Sequence, residues 1–396
     1  MKVPKIVKSI VRAITLIASG VMDLLMLYAP QHRRMTKFAF LVHPRDLSDV
    51  YRKYPFLYSL GDEWTKKFIT LLWPVTVSRI TGAKDDTGKL VDGYMISIPM
   101  TSDQMMNDRG RAKKEIVRGV RLAQKKGARM VGLGALTASL TNGGLDIVNQ
   151  TEAKINTGRI FTSFIVTNTV KAVTEKLSLD RKEVMVAILG AAGSIGTASA
   201  QILARNGFKN FILVDLSSKT DRVNNLVNKI VNESDDIRVQ VSDSLDAIKT
   251  ADIIIAVTNR PDALIRSEHL KSGAVVVDDA QPSDVDPDIV KDRKDVLVLE
   301  GGVVHSEEID PHFNFGLKHK KDIFSCLAET ILLTNIGYKD NFQVGEIFDI
   351  DWDALEKLKD HAEHLGFRLG SFQNFLKVYS DEEIAFVRSI KNRKGS

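Results

Sequence analysis

The residues best suited to chemistry in this chain are three spaced glycines and one cysteine. Val186-Ala-Ile-Leu-Gly190-Ala-Ala-Gly193-Ser-Ile-Gly196 has the spacing G-x-x-G-x-x-G between an apolar run that reads as a strand and a segment that reads as a helix. In that context the first glycine allows a tight turn, the second lets a pyrophosphate reach the backbone, and the third lets helix and strand pack closely. The exposed amides at the helix start favour phosphates. Gly190, Ala192, Gly193, Ser194, Ile195 and Gly196 are therefore expected to hold a dinucleotide. Asp215 ends the following strand, nineteen residues past Gly196, where a carboxylate takes the adenosine ribose hydroxyls and repels the extra phosphate of NADP. That favours NADH, while Lys219 and Arg222 nearby keep NADPH open. Thr258 and Asn259, in Thr258-Asn-Arg-Pro261, end a later strand where such folds pass the nicotinamide ribose.

Cys326 is the only cysteine among 396 residues. This excludes an internal disulfide and a cysteine-cluster metal site, and it fits a reducing compartment; no metal is expected. It lies in Asp322-Ile-Phe-Ser-Cys-Leu-Ala-Glu-Thr near the start of an expected helix, after Lys318, His319, Lys320 and Lys321. A helix N-terminus and neighbouring cations both stabilise the thiolate, the nucleophilic form. The competing reading is a small hydrophobe on an apolar helix face.

The elements that must position these residues are legible in the pattern. A short buried strand at Lys37–His43, a second at Val91–Pro99, a helix over Arg109–Lys126 and a strand from Arg129 into a glycine-bearing loop predict an α/β first domain. Thr137 and Ser139 in that loop are candidates to orient a substrate carbonyl, although both are ordinary loop residues too. After a helix over Thr162–Leu177, strands at Val184–Leu189, Phe211–Val214, Ile237–Val241, Asp252–Val257, Ala274–Asp278 and Val296–Leu299 alternate with helices at Ser194–Asn206 and Lys219–Asn232. Runs apolar on both faces predict a doubly wound parallel sheet of the Rossmann type. The expected division is a leader helix at 1–35, an α/β substrate domain at 36–178, a dinucleotide domain at 179–320, and a C-terminal helical segment at 321–396 that closes on the first domain, with a loose charged tail from Glu382.

The net charge of +5 is concentrated at one end. Lys2, Lys5, Lys8, Arg12, Arg33, Arg34 and Lys37 face a single acid, Asp23, within the first 37 residues, and the remainder is near neutral. A near-neutral body excludes a polyanion-wrapping role, so no nucleic-acid partner is expected. In the same segment Val7, Ile10, Ile14, Ile17, Val21, Leu24 and Tyr28 recur at spacings of three and four, opposite Lys8, Arg12, Thr15, Ser19 and Asp23. Arg12 and Asp23 interrupt the apolar run too soon for a membrane span. The apolar stripe is expected to lie on a membrane surface through residues 1–30, or to pack on the body or on a second subunit of a homo-oligomer. The expected location is cytoplasmic, where the cofactor is, with the inner face of the membrane as the surface concerned.

From about Phe38 to about Leu369 the chain resembles the long-chain acyl-(acyl-carrier-protein) reductases of cyanobacteria. The matching stretches are Leu133-Gly-Ala-Leu-Thr-Ala-Ser139, Thr157-Gly158 with Thr162, the loop Gly190–Gly196, Leu299-Glu-Gly301-Gly302-Val-Val304, Phe324-Ser-Cys326-Leu-Ala-Glu329 and Leu365-Gly-Phe-Arg368. The resemblance implies reduction of an acyl-carrier-protein or coenzyme A thioester to a fatty aldehyde, with an acyl-Cys326 intermediate and an acyl chain held between two domains. It places Thr162 with Thr137 and Ser139 at the substrate, and one deletion aligns His305 with a family histidine that could act as an acid. It also implies NADPH, against the reading of Asp215. The chain departs from the family at Arg159 and Phe161, where the reductases carry Asn and His, and at Asp215-Leu216, where they carry a phosphate-binding arginine. Other readings are a non-covalent dehydrogenase of the shikimate or glutamyl-tRNA-reductase type, in which Cys326 is dispensable, and a membrane-anchored nucleotide-binding protein without turnover.

Overall fold

Parallel strands need crossover segments long enough to carry helices, and the alternation in this sequence supplies them twice. The computed structural model describes residues 5–30, 35–260 and 263–392. Lys2, Arg33, Arg34 and Pro261 lie outside the described residues, as do the side chains of residues 5–12. The chain divides into two units, one of residues 1–158, 306–316 and 326–345, the other of residues 159–305, 317–325 and 346–396.

The first unit runs α1 (Lys5–Tyr28), β1 (Lys37–Val42), α2 (Leu47–Lys53), α3 (Asp62–Thr70), β2 (Val75–Ile80), β3 (Gly93–Ser97), α4 (Ser102–Asn107), α5 (Arg109–Lys125), β4 (Ala128–Leu133), α6 (Leu136–Ser139) and β5 (Lys154–Asn156). Its sheet has the order β2-β3-β1-β4-β5, parallel except where edge strand β2 pairs antiparallel to β3. Ala39, Leu41, Ile96, Ile98, Val131 and Ile155 from the sheet and Ile116 and Val120 from α5 form one apolar core. Gly119 lets α5 come down onto it, since a Cβ there would sit 2.9 Å from Ile98 Cδ1.

The second unit begins with α7 (Arg159–Lys176) and continues β6 (Met185–Leu189), α8 (Ser194–Arg205), β7 (Asn210–Val214), α9 (Thr220–Val231), β8 (Arg238–Ser242), β9 (Ile253–Ala256), β10 (Val275–Asp278), α10 (Pro287–Asp292), β11 (Leu297–Glu300), β12 (Val303–His305) and β13 (Asp322–Phe324). Then follow α11 (Ser325–Asn335), which opens in this unit and continues in the first, and α12 (Trp352–His364), β14 (Arg368–Leu369) and α13 (Asp381–Asn392). The main sheet has the order β11-β10-β9-β6-β7-β8, parallel throughout. Counted from β6 this is the 3-2-1-4-5-6 order of the doubly wound dinucleotide fold, whose direction of winding reverses between β6 and β9. The fold is therefore the expected α/β one. A small antiparallel sheet, β13-β12-β14, accompanies it.

Three expectations are corrected. Helix α7, assigned from sequence to the first domain, belongs to the second unit, where Val166, Val170 and Val173 join the core of β6 and α8. The C-terminal segment 346–396 also belongs to the second unit rather than the first. Tyr379 explains part of that: its hydroxyl accepts from Val298 N–H at 3.0 Å and from Asn374 at 3.2 Å. The tail from Glu382 is helical, because Ile384 and Val387, three residues apart, are both buried in the same core. Tyr379→Phe leaves the Val298 N–H unpaired in the interior, and we expect a loss of about 1–3 kcal/mol. The measurement is the urea midpoint at unchanged slope; an unmoved midpoint would count against the hydroxyl as the tie of the tail.

Candidate functional site

In the second unit the glycine loop leaves β6 at the winding reversal, and its glycines are there because nothing larger fits. Gly190 has φ +90°, and a Cβ on it would meet Val257 O at 2.9 Å. A Cβ on Gly196 would lie 2.4 Å from Gly190 O, so α8 can start directly beneath the turn. This is a cradle in which backbone amides, not side chains, face an incoming phosphate, and it fits a dinucleotide. Ala192 N donates to Asp215 Oδ2 at 2.8 Å and Leu216 N to Oδ1 at 2.8 Å, which binds the acid at the end of β7 to the loop itself. Lys219 pairs with Asp215 at 3.2 Å, and Arg222 pairs with Glu346 at 2.7 Å. Ser194 Oγ accepts from Arg159 at 3.3 Å and from Ile347 N at 3.1 Å, while Gly193 and Ile195 stay half-buried on the loop. At the end of β9, Thr258 donates through N and Oγ1 to Asp284, at 3.0 and 2.5 Å, and Asn259 is exposed.

Beyond β10 the same sheet edge holds three carboxyl groups that sequence reasoning passed over. Asp278 accepts from Ser283 Oγ and from Ala280 N, and Asp284 lies beside it. Burial, and after it the Asp284 carboxylate, push Asp278 up to about 7. Burial also raises Asp279 well above the usual carboxylate range, with Asp278 as the second cause, and burial raises Asp284. Asp279 stands against Gly301-Gly302: Cβ atoms there would lie 2.8 Å from Asp279 Cβ and 2.4 Å from its Oδ1. The pair of adjacent acids after an all-apolar strand was the available signal.

His305 on β12 has a defined orientation. Its Nδ1 is 2.9 Å from Oδ1 of Asp322, which is 1% exposed, and Gln373 Nε2 donates to the other carboxylate oxygen. Gln373 in turn accepts from Lys318 N at 2.8 Å. With Nδ1–H given to Asp322, the ring orientation and tautomer of His305 are fixed. The His319 ring lies edge-on to His305 at 5.1 Å, and these two with Asp322 form a group of potential metal ligands among the described residues. Both Asp322 oxygens are already engaged, which suits an oriented imidazole better than a metal site. Thr162, expected at the substrate, is instead buried with its Oγ1 2.8 Å from Ser325 Oγ, and Ser325 N donates to Gly302 O at 2.7 Å. Thr162 therefore positions the start of α11.

In the first unit Cys326 is half-buried in the first turn of α11. Gly158 lies flush against it, with φ +73° and a hypothetical Cβ 2.2 Å from Cys326 Cβ. One turn on, fully buried Glu329 accepts from Gly158 N at 2.9 Å and from Asn156 Nδ2 at 3.1 Å. Thr330 Oγ1 bridges Asn156 Oδ1 and Cys326 O at 3.2 and 3.1 Å. Asn156, Glu329 and Thr330 were not singled out as site residues, although Glu329 closes one of the stretches that carry the resemblance. Thr137 is corrected: it is fully buried and donates to Gly134 O at 2.7 Å, so it shapes the loop rather than facing a substrate. Ser139 is half-buried at the end of α6. Below this loop His43 is held neutral by burial, accepting at Nε2 from Leu136 N at 3.3 Å with Nδ1 3.0 Å from Pro44 O.

The family of shikimate/quinate 5-dehydrogenases matches residues 171–299. The chain is 26% identical over 309 residues to the long-chain acyl-(acyl-carrier-protein) reductase of Synechococcus elongatus, covering 74% of this chain and 87% of that protein. It is 25% identical over 342 residues to the aminotransferase PigE of Serratia, covering 84% of this chain but spanning only 39% of that relative. Among solved structures, an NAD-dependent malic enzyme from Thermotoga maritima covers 98% of this chain and 93% of its own, at 14% identity and a TM-score of 0.40. The family match, which spans the glycine loop and the strands after it, and the reductase relative both support an NAD(P)-dependent oxidoreductase.

Gly196→Ala should weaken both NADH and NADPH by more than about 10-fold in a fluorescence titration, because the added methyl pushes α8 off the turn; unchanged affinity would move the phosphates elsewhere. The acids make a second prediction. A carboxyl that holds its proton more tightly when folded adds stability that is full below its unfolded value and lost as pH rises through its folded one. With unfolded values of about 3.9 and Asp278 near 7 folded, stability should fall between about pH 4 and pH 7. Asp279→Asn should melt above the wild type at about pH 8 and converge with it near about pH 4, and parallel melting profiles would refute the protonated pair.

Proposed function

We propose that the protein reduces an acyl thioester, carried by an acyl carrier protein or coenzyme A, to an aldehyde through an acyl-cysteine formed on Cys326. The observation that supports this most is the setting of Cys326: the sole cysteine, in the first turn of a helix and pressed on a glycine that no other residue could replace. The amides of that turn favour a thiolate over a thiol. The thiolate adds to the thioester carbonyl, the bond to the carrier sulfur breaks, and the carrier leaves as its thiol, leaving acyl-Cys326. A reduced nicotinamide, which the loop Gly190–Gly196 would hold, would supply the hydride that takes this second thioester to the aldehyde. Collapse onto the aldehyde returns the Cys326 thiolate, and the overall reaction consumes one proton. His305, oriented through Asp322, offers that proton at Nε2. Glu329, Asn156 and Thr330 hold the turn that carries the sulfur and are positioning residues.

The similarity to the Synechococcus reductase, over nearly all of that protein's length, supports the same reading. An acid at Asp215, at the end of the second strand of the dinucleotide unit, favours NADH, whereas the resemblance favours NADPH. A second reading follows from the match to shikimate dehydrogenases: a non-covalent dehydrogenase that does not need Cys326.

The deciding experiment is intact-protein mass spectrometry after mixing the chain with a long-chain acyl thioester, without reductant, for wild type and Cys326→Ala. An acyl-sized mass on wild type alone, discharged as aldehyde by NADH or NADPH, is expected. Absence of the adduct, or an equal adduct on the variant, removes Cys326 from the reaction and leaves the non-covalent dehydrogenase. His305→Gln should slow formation of the adduct by about 100-fold, since the proton taken up by the departing carrier thiol is the one assigned to His305, and leave the discharge rate unchanged.

A further inference from the structure

Helix α1 is mounted inside out. The face that packs on its unit is small and polar over most of its length, joined at the C-terminal end by half-buried Met26 and Leu27, which meet the core. Asp23 is 1% exposed, paired with Lys126 Nζ at 2.6 Å and accepting from Thr76 N at 2.6 Å. Trp73 Nε1 donates to Gly20 O at 2.8 Å, and Ser19 Oγ donates to Thr76 O at 3.2 Å. The apolar stripe, expected on a membrane surface, on the body or on a second subunit, points away from the body at Ile14 (60% exposed), Ile17 (66%), Val21 and Tyr28 (78%), with Met22 and Leu25 (61%) exposed beside it and Leu24 half-buried. The exposed residues lie at i, i+3, i+7, i+8, i+11 and i+14 and make a continuous ridge roughly 21 Å long. In the neighbouring turn Pro55–Leu60, which α1 touches, Tyr58 is exposed as well.

Burying a charge to leave isoleucines and leucine in water is the reverse of what a helix does for its own unit's stability, so the ridge is built for something outside this chain. The charge distribution identifies it. Lys5, Lys8 and Arg12 precede the ridge in sequence and Arg33 and Arg34 follow it, while the one acid of the segment is neutralised internally by Lys126. An exposed apolar ridge in a segment whose sequence is strongly basic, and whose one acid is paired internally, complements an anionic lipid surface. No described helix is long and apolar enough to cross a membrane. We infer that α1 docks the protein in the plane of an anionic membrane surface, held by the ridge from Ile14 to Tyr28. The inference is independent of the reaction at Cys326.

The test is co-sedimentation of the full chain with vesicles of phosphatidylcholine, alone or mixed with phosphatidylglycerol. The wild type should pellet with the mixed vesicles and be released by salt. Ile17→Asp with Leu25→Asp, both at exposed positions, should lower the partition coefficient by more than about 10-fold at an unchanged melting temperature and unchanged NADH binding. Lys5, Lys8 and Arg12 replaced by Gln should weaken binding to the mixed vesicles alone. A wild type that stays in the supernatant with both vesicles, or variants that pellet as it does, overturns the proposal. Loss of a dimer in light scattering with the Asp variant, without vesicle binding by the wild type, overturns it too and assigns the ridge to a second copy.

Discussion

Backbone contact at the ends of parallel strands is the constraint on which the chemistry of this protein rests. At Gly190, Gly196, Gly301, Gly302 and Gly158 a methyl group would fall between 2.2 and 2.9 Å from another atom, well inside van der Waals contact. Each place is one where main chain meets main chain or a functional side chain: the turn under α8, the wall beside Asp279, and the surface on which Cys326 lies. Removing the side chains leaves the amides of the loop accessible to phosphate, and it lets a cysteine sit in the first turn of a helix without being covered.

Around these approaches the protein handles its buried acids in two ways. Glu329 and Asp322 are satisfied, one by Gly158 N and Asn156, the other by His305 and Gln373, and each holds a neighbour in place. Asp278, Asp279 and Asp284 crowd one sheet edge, and desolvation together with the nearby like charge of Asp278 and Asp284 favours their protonated forms. An unfavourable arrangement of this kind is usual where a fold gives up stability for function.

Helix α1 shows the same trade on the outside. Its attachment runs through Asp23 and a polar face, with Met26 and Leu27 at its end, and the apolar ridge from Ile14 to Tyr28 is left in water. Amphipathic spacing identified the helix and both of its faces, but spacing is symmetric with respect to which face meets the protein. Only the positions of Lys126, Thr76 and Trp73, from distant parts of the chain, break that symmetry.

The sequence by itself determined the six strands of the second unit's parallel sheet and three of the five in the first (β1, β3 and β4), the glycine loop, Asp215 and the position of Cys326 at a helix start, because these depend on local pattern: apolar runs bounded by turns, and glycines at fixed spacing. Tertiary structure alone decided the rest. Thr162 and Thr137 read as substrate contacts but are spent on Ser325 and Gly134. The network of Asn156, Glu329 and Thr330 joins residues about 170 positions apart, and α7 and the C-terminal helix were assigned to a unit by packing that no window of sequence contains. Hydrogen-bond partners and buried faces are chosen by long-range geometry, and that geometry exists only once the chain has folded.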